Sequence, residues 1–214
     1  MKRKGIATIG IIGIIAAIAV VLIGFYVVAH NSIVKLEATV DTKASDIKTQ
    51  LQRRADLIPN LVSTVQGYVE HEENVIDSIT AARKEISGAK TIKEMSAAND
   101  KLNSALQSLN VIVENYPDLK ASQNFINLQD ELAGTENRIA TARKDYNEAV
   151  KNYNTKISTI PTSIIANMMG KEKKDFFEVS DQSKLEVPEV NFNNSTNNDS
   201  KIDSDKWEKS LAYY

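Results

Sequence analysis

The sequence predicts an all-α protein in which an N-terminal transmembrane helix is followed by an elongated antiparallel four-helix bundle. Two observations carry this prediction. Residues 5–29 contain no charged side chain, and the chain beyond them repeats apolar residues at steps of three and four, the period of an amphipathic helix. Helix breakers are rare, with four prolines and eight glycines in 214 residues, so long uninterrupted helices are expected.

The uncharged segment is the first predicted element. At about 1.5 Å per residue it forms a helix of about 36 Å, enough to cross a hydrocarbon layer of about 30 Å. A cleaved signal peptide is the alternative, but its apolar core is normally only about 7–15 residues long. We therefore interpret residues 5–29 as a retained signal anchor in the lipid bilayer, preceded by a basic tail at residues 1–4.

The charges that flank this segment predict its orientation. Lys2, Arg3 and Lys4 stand together before it, whereas the lysines that follow it are spread out and interleaved with acidic residues. Positive charge is concentrated on the cytoplasmic side of membrane helices. We expect a single-pass protein of the cell membrane with a cytoplasmic N-terminus and an extracytoplasmic bundle.

Four helical stretches are predicted within residues 30–170, which we assign to the bundle. The first continues out of the membrane from Ile33 to Ile58, and the second starts around Pro59 and stops at Gly88. Proline is tolerated in a first helical turn and kinks a helix elsewhere. Pro59 therefore either separates two helices or bends one.

The third stretch begins at a capping box formed by Thr91 and Glu94 and breaks at Pro117. The fourth is the longest, with an unbroken apolar stripe from Phe125 to Ile160 that spans roughly 53 Å. A stripe of this length requires partners of similar length, which an antiparallel bundle supplies.

The chain changes character after the bundle. In residues 171–192 the apolar residues recur around Pro188 without a helical period, which predicts an extended strip packed on the bundle. Residues 193–214 are rich in Asn, Ser and Asp and are predicted to form a disordered tail.

Composition excludes several classes of function. The net charge is −2, from 26 basic and 28 acidic residues, and this balance gives no concentrated basic face for nucleic acid. Aromatic residues make up 6% of the chain, too few for base-stacking platforms. The chain has no cysteine, which excludes disulfides, cysteine-ligated zinc, thiol catalysis and lipoprotein attachment.

The densest polar segment lies in the middle of the chain. It reads Arg53-Arg54-x-Asp56-Leu57-Ile58-Pro59-Asn60-Leu61-Val62, then Gly67-Tyr68 and His71-Glu72. These residues resemble the signature of the LemA family of bacterial membrane-anchored proteins, as do Glu114-x-Tyr116-Pro117-Asp118-Leu119 and the pairs Tyr146-Asn147 and Tyr153-Asn154. The resemblance implies a single N-terminal membrane helix, a long four-helix bundle and no established enzymatic activity.

The resemblance covers about residues 25–192, and the chain departs from the family pattern at two positions. Ala44 stands where family members often carry Trp, and Lys171 follows Gly170 where an aromatic residue is usual. Both departures remove apolar bulk, so packing at the first helix and at the final crossover is less well defined. Tyr146 and Tyr153 are interpreted as half-buried packing residues.

We call the polar residues of this segment the signature cluster. Its members are Arg53, Arg54, Asp56, Pro59, Asn60, Gly67, Tyr68, His71 and Glu72. The preferred interpretation is architectural: Asp56 pairs with Arg53 or Arg54 at a helix junction near Pro59, and Asp56 or Asn60 satisfies backbone donors there. Gly67 is expected to let two helices approach closely. The alternative is a recognition surface, with the arginines binding an anionic group.

No catalytic residue, cofactor or metal ion is predicted. His71 lies among acidic residues, but the zinc-protease pattern requires a second histidine four residues on, where Val75 stands. The other histidine, His30, lies at the membrane edge. A structural polar role for His71 is therefore preferred over metal binding.

Three function hypotheses follow. The leading one is a non-enzymatic envelope protein whose rigid bundle binds other membrane or envelope proteins. The second is membrane remodelling by lateral self-association as a weak homo-oligomer, which the small residues Gly13, Ala17 and Gly24 allow. The third and least favoured is a metal-dependent enzyme that uses the region of Asp56 and His71.

Overall fold

A computed structural model of the chain describes residues 2–69 and 71–178, with side chains from residue 12 onward. Over these residues the chain is helical and contains no strand. The helices are α1 (Lys2–Gln66), α2 (Glu73–Gly88), α3 (Ile92–Val113), α4 (Pro117–Lys120), α5 (Gln123–Ser158) and α6 (Thr162–Met168). The predicted all-α class with an apolar N-terminal helix is confirmed.

Helix α1 is a single element of 65 residues that runs from the apolar segment into the bundle. The prediction of a second helix from Pro59 to Gly88 is wrong, because α1 continues through Pro59 and ends at Gln66. The break between the first two bundle helices lies at residues 67–72 instead. A proline inside a helix removes one backbone hydrogen bond. Here a side chain of the neighbouring helix α2 supplies a replacement donor.

The most extensive helix contact joins α1 to α5, which has 36 residues. Two cross-helix ion pairs set an antiparallel register: Lys43 Nζ lies 3.3 Å from Asp145 Oδ2, and Arg54 Nη1 lies 2.5 Å from Glu136 Oε2. The buried residues of α1 keep the predicted period, at steps of three, four or seven: Ile33, Val40, Ile47, Leu51, Ala55, Ile58, Leu61 and Val65.

The hairpin of α2 and α3 completes the bundle at the end far from the apolar segment. The predicted capping box at Thr91 is confirmed, because its hydroxyl accepts from the Glu94 N–H and the Glu94 carboxylate accepts from the Thr91 N–H. The hairpin contacts α1 at Ala55 and Arg54, through hydrogen bonds described below. It therefore covers the distal half of the α1–α5 contact and leaves the other half to different elements.

Helix α6 and residues 171–178, which we call the strip, lie on the remaining half. The strip has no regular secondary structure. It runs along α5, and two asparagines of that helix bond its backbone. The Asn154 amide accepts from the Lys174 N–H at 2.9 Å and donates to the Lys174 carbonyl at 2.9 Å. Asn147 makes the same pair of bonds with the backbone of Phe177, at 2.8 and 3.1 Å.

Simple geometry explains this spacing. Seven residues of α-helix rise about 10.5 Å, and three residues of extended chain cover about 10 Å. Asn147 and Asn154 are seven apart and Lys174 and Phe177 are three apart, so each amide meets one backbone unit. An asparagine side chain offers a donor and an acceptor, as a neighbouring β-strand would.

The tyrosines that precede the two asparagines are buried rather than half-buried, which corrects the sequence interpretation. Tyr146 is 3% exposed and Tyr153 is 0% exposed. The Tyr146 hydroxyl donates to the carbonyl of Asp175 in the strip at 2.9 Å. Burial raises the pKa of Tyr146 to about 12. Both rings extend beneath the strip because they share the α5 face that carries the core.

The chain reaches the strip through a left-handed turn at Gly170, where φ is +63° and a side chain would be strained. Lys171, which stands where an aromatic residue is usual, places its ammonium 2.5 Å from Glu37 Oε2. Hydrogen bonding from Lys171 lowers the pKa of Glu37. The ion pair between Lys171 and Glu37 therefore holds the crossover against α1. Ala44, the other departure from the family pattern, is half-buried and packs against the core of the bundle.

The predicted strip and tail extend beyond what the structure describes. Residues 179–192 of the predicted extended segment and the whole predicted tail, residues 193–214, lie outside the described residues. Their predicted conformations stay predictions.

We expect Asn147→Ala to destabilise the bundle by about 1–3 kcal/mol, because the backbone N–H and C=O of Phe177 lose their partners while Phe177 stays buried. Urea unfolding followed by circular dichroism measures the change. Asn137→Ala is the matched control, since Asn137 is an exposed asparagine on the same helix. Equal stability of the two variants would contradict the role of the asparagines.

Candidate functional site

The structure separates the signature cluster into one inward and several outward residues. Arg54 is 4% exposed, whereas Arg53, Asp56, Pro59 and Asn60 are all exposed on α1. The cluster therefore does not converge on one anion site, because its two arginines point to different sides of the helix.

Arg54 ties three helices together inside the bundle. Its Nη1 donates to Glu136 Oε2 of α5 at 2.5 Å and to Asn99 Oδ1 of α3 at 2.8 Å. Burial lowers the pKa of the Arg54 guanidinium, and the charge of Glu136 counteracts this shift. Asn99 is itself 0% exposed, so the cation is held in the core by one carboxylate and one amide.

The prediction that Asp56 pairs with an arginine at a helix junction is wrong. Residues two apart on a helix point about 200° away from each other, so Asp56 cannot face the same side as Arg54. Asp56 Oδ1 instead accepts from Gln52 Nε2 of its own helix at 2.8 Å. The architectural interpretation holds for Arg54, with Glu136 as the carboxylate, and fails for Asp56.

A side chain of α2 compensates for the hydrogen bond that Pro59 removes from α1. Proline has no N–H, so the carbonyl of Ala55, four residues earlier, loses its helical donor. Arg83 Nε donates to that carbonyl at 3.1 Å. Because Ala55 is 0% exposed, this oxygen would otherwise be buried without a partner. The proline thus creates an acceptor that fixes where α2 lies against α1.

The remaining members of the cluster lie at the distal end of the bundle. Gly67 follows α1 in a turn, and the contacts of an added Cβ are with the preceding turn's own backbone. The prediction that Gly67 brings two helices close is therefore wrong. Tyr68 is 45% exposed and His71 is exposed. Glu72 precedes α2, and its carbonyl accepts from the Val75 and Ile76 amides.

Arg53, Asp56 and Asn60 share one face of α1, because residues three, four and seven apart lie close together around a helix. All three are exposed, and their side chains make no hydrogen bond or ion pair to another described helix. We call this set the distal polar face. The face presents a cation, an anion and an amide along α1, and the buried Arg54 belongs to the same segment of the helix.

The described residues offer no metal centre: no group of three or more His, Cys, Asp or Glu side chains among them lies close enough to hold an ion. Glu70, beside His71, lies outside the described residues. The prediction of no enzymatic activity stays a prediction.

The sequence reasoning missed three partners, Glu136, Asn99 and Arg83. A signal for the first was present: Arg54 occupies a position of the apolar stripe, between Leu51 and Ile58. A buried cation requires an anionic partner, which Glu136 of α5 supplies, but no such signal identified Asn99. No comparable sequence signal identified Arg83.

A long apolar helix that leads directly into a helical bundle is typical of membrane-associated bundle proteins. Among the described residues α1 is the one helix long and apolar enough to cross a membrane. The LemA family model matches residues 43–192, and the chain belongs to the LemA family.

The chain is also similar to individual proteins. The chain is 24% identical to Magnetosome protein MamQ 2 of Paramagnetospirillum magneticum over 207 residues, which covers 83% of this chain and 75% of the relative. It is also 24% identical to Protein LemA of Metamycoplasma hominis over 163 residues, 76% of this chain and 74% of that protein.

We expect Glu136→Ala to cost about 3 kcal/mol of unfolding free energy, the low end of the range for breaking a buried pair, because the Glu136 side chain is 32% exposed. The loss arises because Arg54 remains buried with an unpaired charge. Asp56→Ala and Arg53→Ala, both at exposed positions, should each change stability by about 0.5 kcal/mol or less. Urea unfolding compares the three variants, and a large effect of Asp56→Ala would restore the original interpretation.

The contact at Pro59 predicts coupling between two distant residues. Arg83→Met should cost about 1–3 kcal/mol, because the Ala55 carbonyl is left without a donor. In a Pro59→Ala background the cost should be smaller, since the new N–H of residue 59 can bond that carbonyl.

A double-mutant cycle by urea unfolding measures this coupling. Lys84→Met, which changes an exposed cation on the same helix, is the control and should behave alike in both backgrounds. Strictly additive effects of Pro59→Ala and Arg83→Met would contradict the proposed compensation.

Proposed function

We propose that this protein is a non-enzymatic, membrane-anchored envelope protein whose distal polar face binds other membrane or envelope proteins. Residues 5–29 stay in the cell membrane as a single-pass signal anchor, and the bundle lies outside the cytoplasm. The observation that carries this proposal is the exposure of Arg53, Asp56 and Asn60 on one face, with no side-chain hydrogen bond or ion pair to another described helix.

The segment beneath this face is held by several contacts at once. Arg54 binds Glu136 and Asn99 from within the same two turns of α1, and Arg83 binds the Ala55 carbonyl beside them. Exposed side chains on a fixed backbone lose less conformational freedom when a partner binds. The buried network therefore supports recognition by the exposed residues above it.

The composition of the distal end also suits a protein partner. Arginine and tyrosine are enriched in protein interfaces, and Tyr68 is exposed at the end of α1 near the distal polar face. The names of the relatives indicate no catalysis, which agrees with a binding role. The charge distribution around residues 5–29 supports the extracytoplasmic orientation.

Lateral self-association is a second candidate, favoured by one observation in the apolar segment. Gly13, Ala17 and Gly24 lie within about 40° of one another around α1, given about 100° per residue. A side chain added at Gly13 or Gly24 would meet nothing within 4 Å. A second copy of the helix could approach closely along this side.

The absence of cysteine makes a direct test of the first candidate simple. Arg53→Cys carries a membrane-impermeant photocrosslinker, applied to intact spheroplasts. We expect labelling without lysis, because position 53 lies outside the cytoplasm, followed by light-dependent crosslinks to a defined protein. Lys93→Cys is the matched control, since it removes an exposed cation from α3.

The orientation, the binding surface and the kind of partner would each be contradicted by a different result. Labelling of position 53 only after permeabilisation would reverse the orientation. Labelling without crosslinks above those of the Lys93→Cys control would exclude the distal polar face as the binding surface. Crosslinks to a second copy of the chain would favour self-association instead.

A further inference from the structure

The turn between α5 and α6 presents large apolar side chains to the outside. Ile160 is 79% exposed in the turn, and Ile164 and Met168 are 59% and 74% exposed on α6. Ile164 and Met168 are four residues apart on α6, so they lie on one side of that helix, and Ile160 precedes it in the turn. The opposite side of α6 is covered by the bundle, because Thr162, Ile165 and Ala166 are buried. We call the three outward residues the apolar tip.

The register of α1 and α5 places the apolar tip at the end of the apolar segment. Lys43 meets Asp145, and both helices rise equally per residue. Equal steps toward the N-terminus of α1 and the C-terminus of α5 bring Ala29 level with Thr159. Ala29 is 4% exposed, and α6 contacts both α1 and α5, so the bundle reaches Ala29 at the end of the apolar segment.

The side chains around this level are those of a membrane interface. Phe25 and Tyr26 lie one turn before Ala29, within the apolar segment, and are 40% and 41% exposed. Aromatic residues concentrate where the hydrocarbon layer meets the headgroups. Lys35 on α1 and Lys156 on the last turn of α5 follow on the bundle side, where lysine ammoniums reach phosphate groups.

We propose that the apolar tip is a second membrane contact, in which Ile160, Ile164 and Met168 enter the interfacial layer of the bilayer that α1 spans. This inference rests on the proposed anchoring by α1. We take lipid as the occupant of the apolar surface because Thr159, which precedes Ile160, is level with Ala29 at the end of the apolar segment, and α6 contacts α1.

The consequence is an attachment at two places. A single helix can tilt and rotate in a bilayer, whereas a second insertion beside it restricts the tilt of the bundle. The distal polar face is then held at a defined height, about 46 Å along α1 from Ala29 to Asn60 at about 1.5 Å per residue.

Depth-dependent quenching on the full chain tests the inference. Single-cysteine variants Ile164→Cys and Met168→Cys carry an environment-sensitive fluorophore, in vesicles of phosphatidylcholine and phosphatidylglycerol with a nitroxide on the lipid. Val28→Cys, within the apolar segment, is the positive control. Val111→Cys is the matched negative control, because Val111 is 68% exposed on α3 at the far end of the bundle.

We expect several-fold stronger quenching at positions 164 and 168 than at position 111, with blue-shifted emission and unchanged helicity. Quenching at position 28 together with no more quenching at 164 and 168 than at 111 would overturn the inference and leave the anchor intact. No quenching at position 28, and no flotation with vesicles, would overturn the anchor itself. Protection of position 164 from water without lipid quenching would assign the surface to a second copy and also overturn the inference.

Discussion

Antiparallel packing of α1 against α5 buries an apolar seam that no single further element covers along its whole length. The α2–α3 hairpin closes the distal half, and α6 with the strip closes the half next to the apolar segment. The strip is not helical, yet its backbone needs partners where it crosses α5. Asn147 and Asn154 supply them at a spacing that matches extended chain to helix. The fold is therefore a four-helix bundle in one half and a three-element packing in the other.

A buried charge within this seam fixes the register of the helices. Burial of an ion pair contributes little net stability, because desolvation offsets much of the attraction, but loss of one partner is costly. Sliding α5 by one turn against α1 would move Glu136 away from Arg54 and leave the cation unpaired in the core. Apolar residues can repack after such a shift at a lower cost than a buried charge that has lost its partner. Arg54 supplies the discrimination, and Asn99 extends it to α3.

Apolar periodicity predicted the helices well because burial of a continuous stripe is what stabilises them. The stripe on α5 and the capping box at Thr91 were sufficient for two elements. The sequence left open whether Pro59 separates two helices or lies within one. An internal proline normally leaves a carbonyl unsatisfied, and here a side chain distant in sequence supplies the donor. The partner of Arg54 was misjudged for a similar reason: Asp56 is close in sequence but lies on the other side of the helix. Contacts between helices depend on register, which a single sequence leaves open.

The signature cluster combines two roles that the sequence presents as alternatives. Arg54 faces the core, and Arg53, its neighbour, faces solvent, so one segment carries both the lock between helices and the surface proposed for recognition. Because α1 is one helix from the apolar segment to Gln66, no flexible linker separates this surface from the membrane. A rotation of the membrane helix would therefore turn the distal polar face with it. In that arrangement the apolar tip restricts the tilt of the bundle, the Arg54 network keeps α1 and α5 in one register, and the orientation of the exposed residues follows from both.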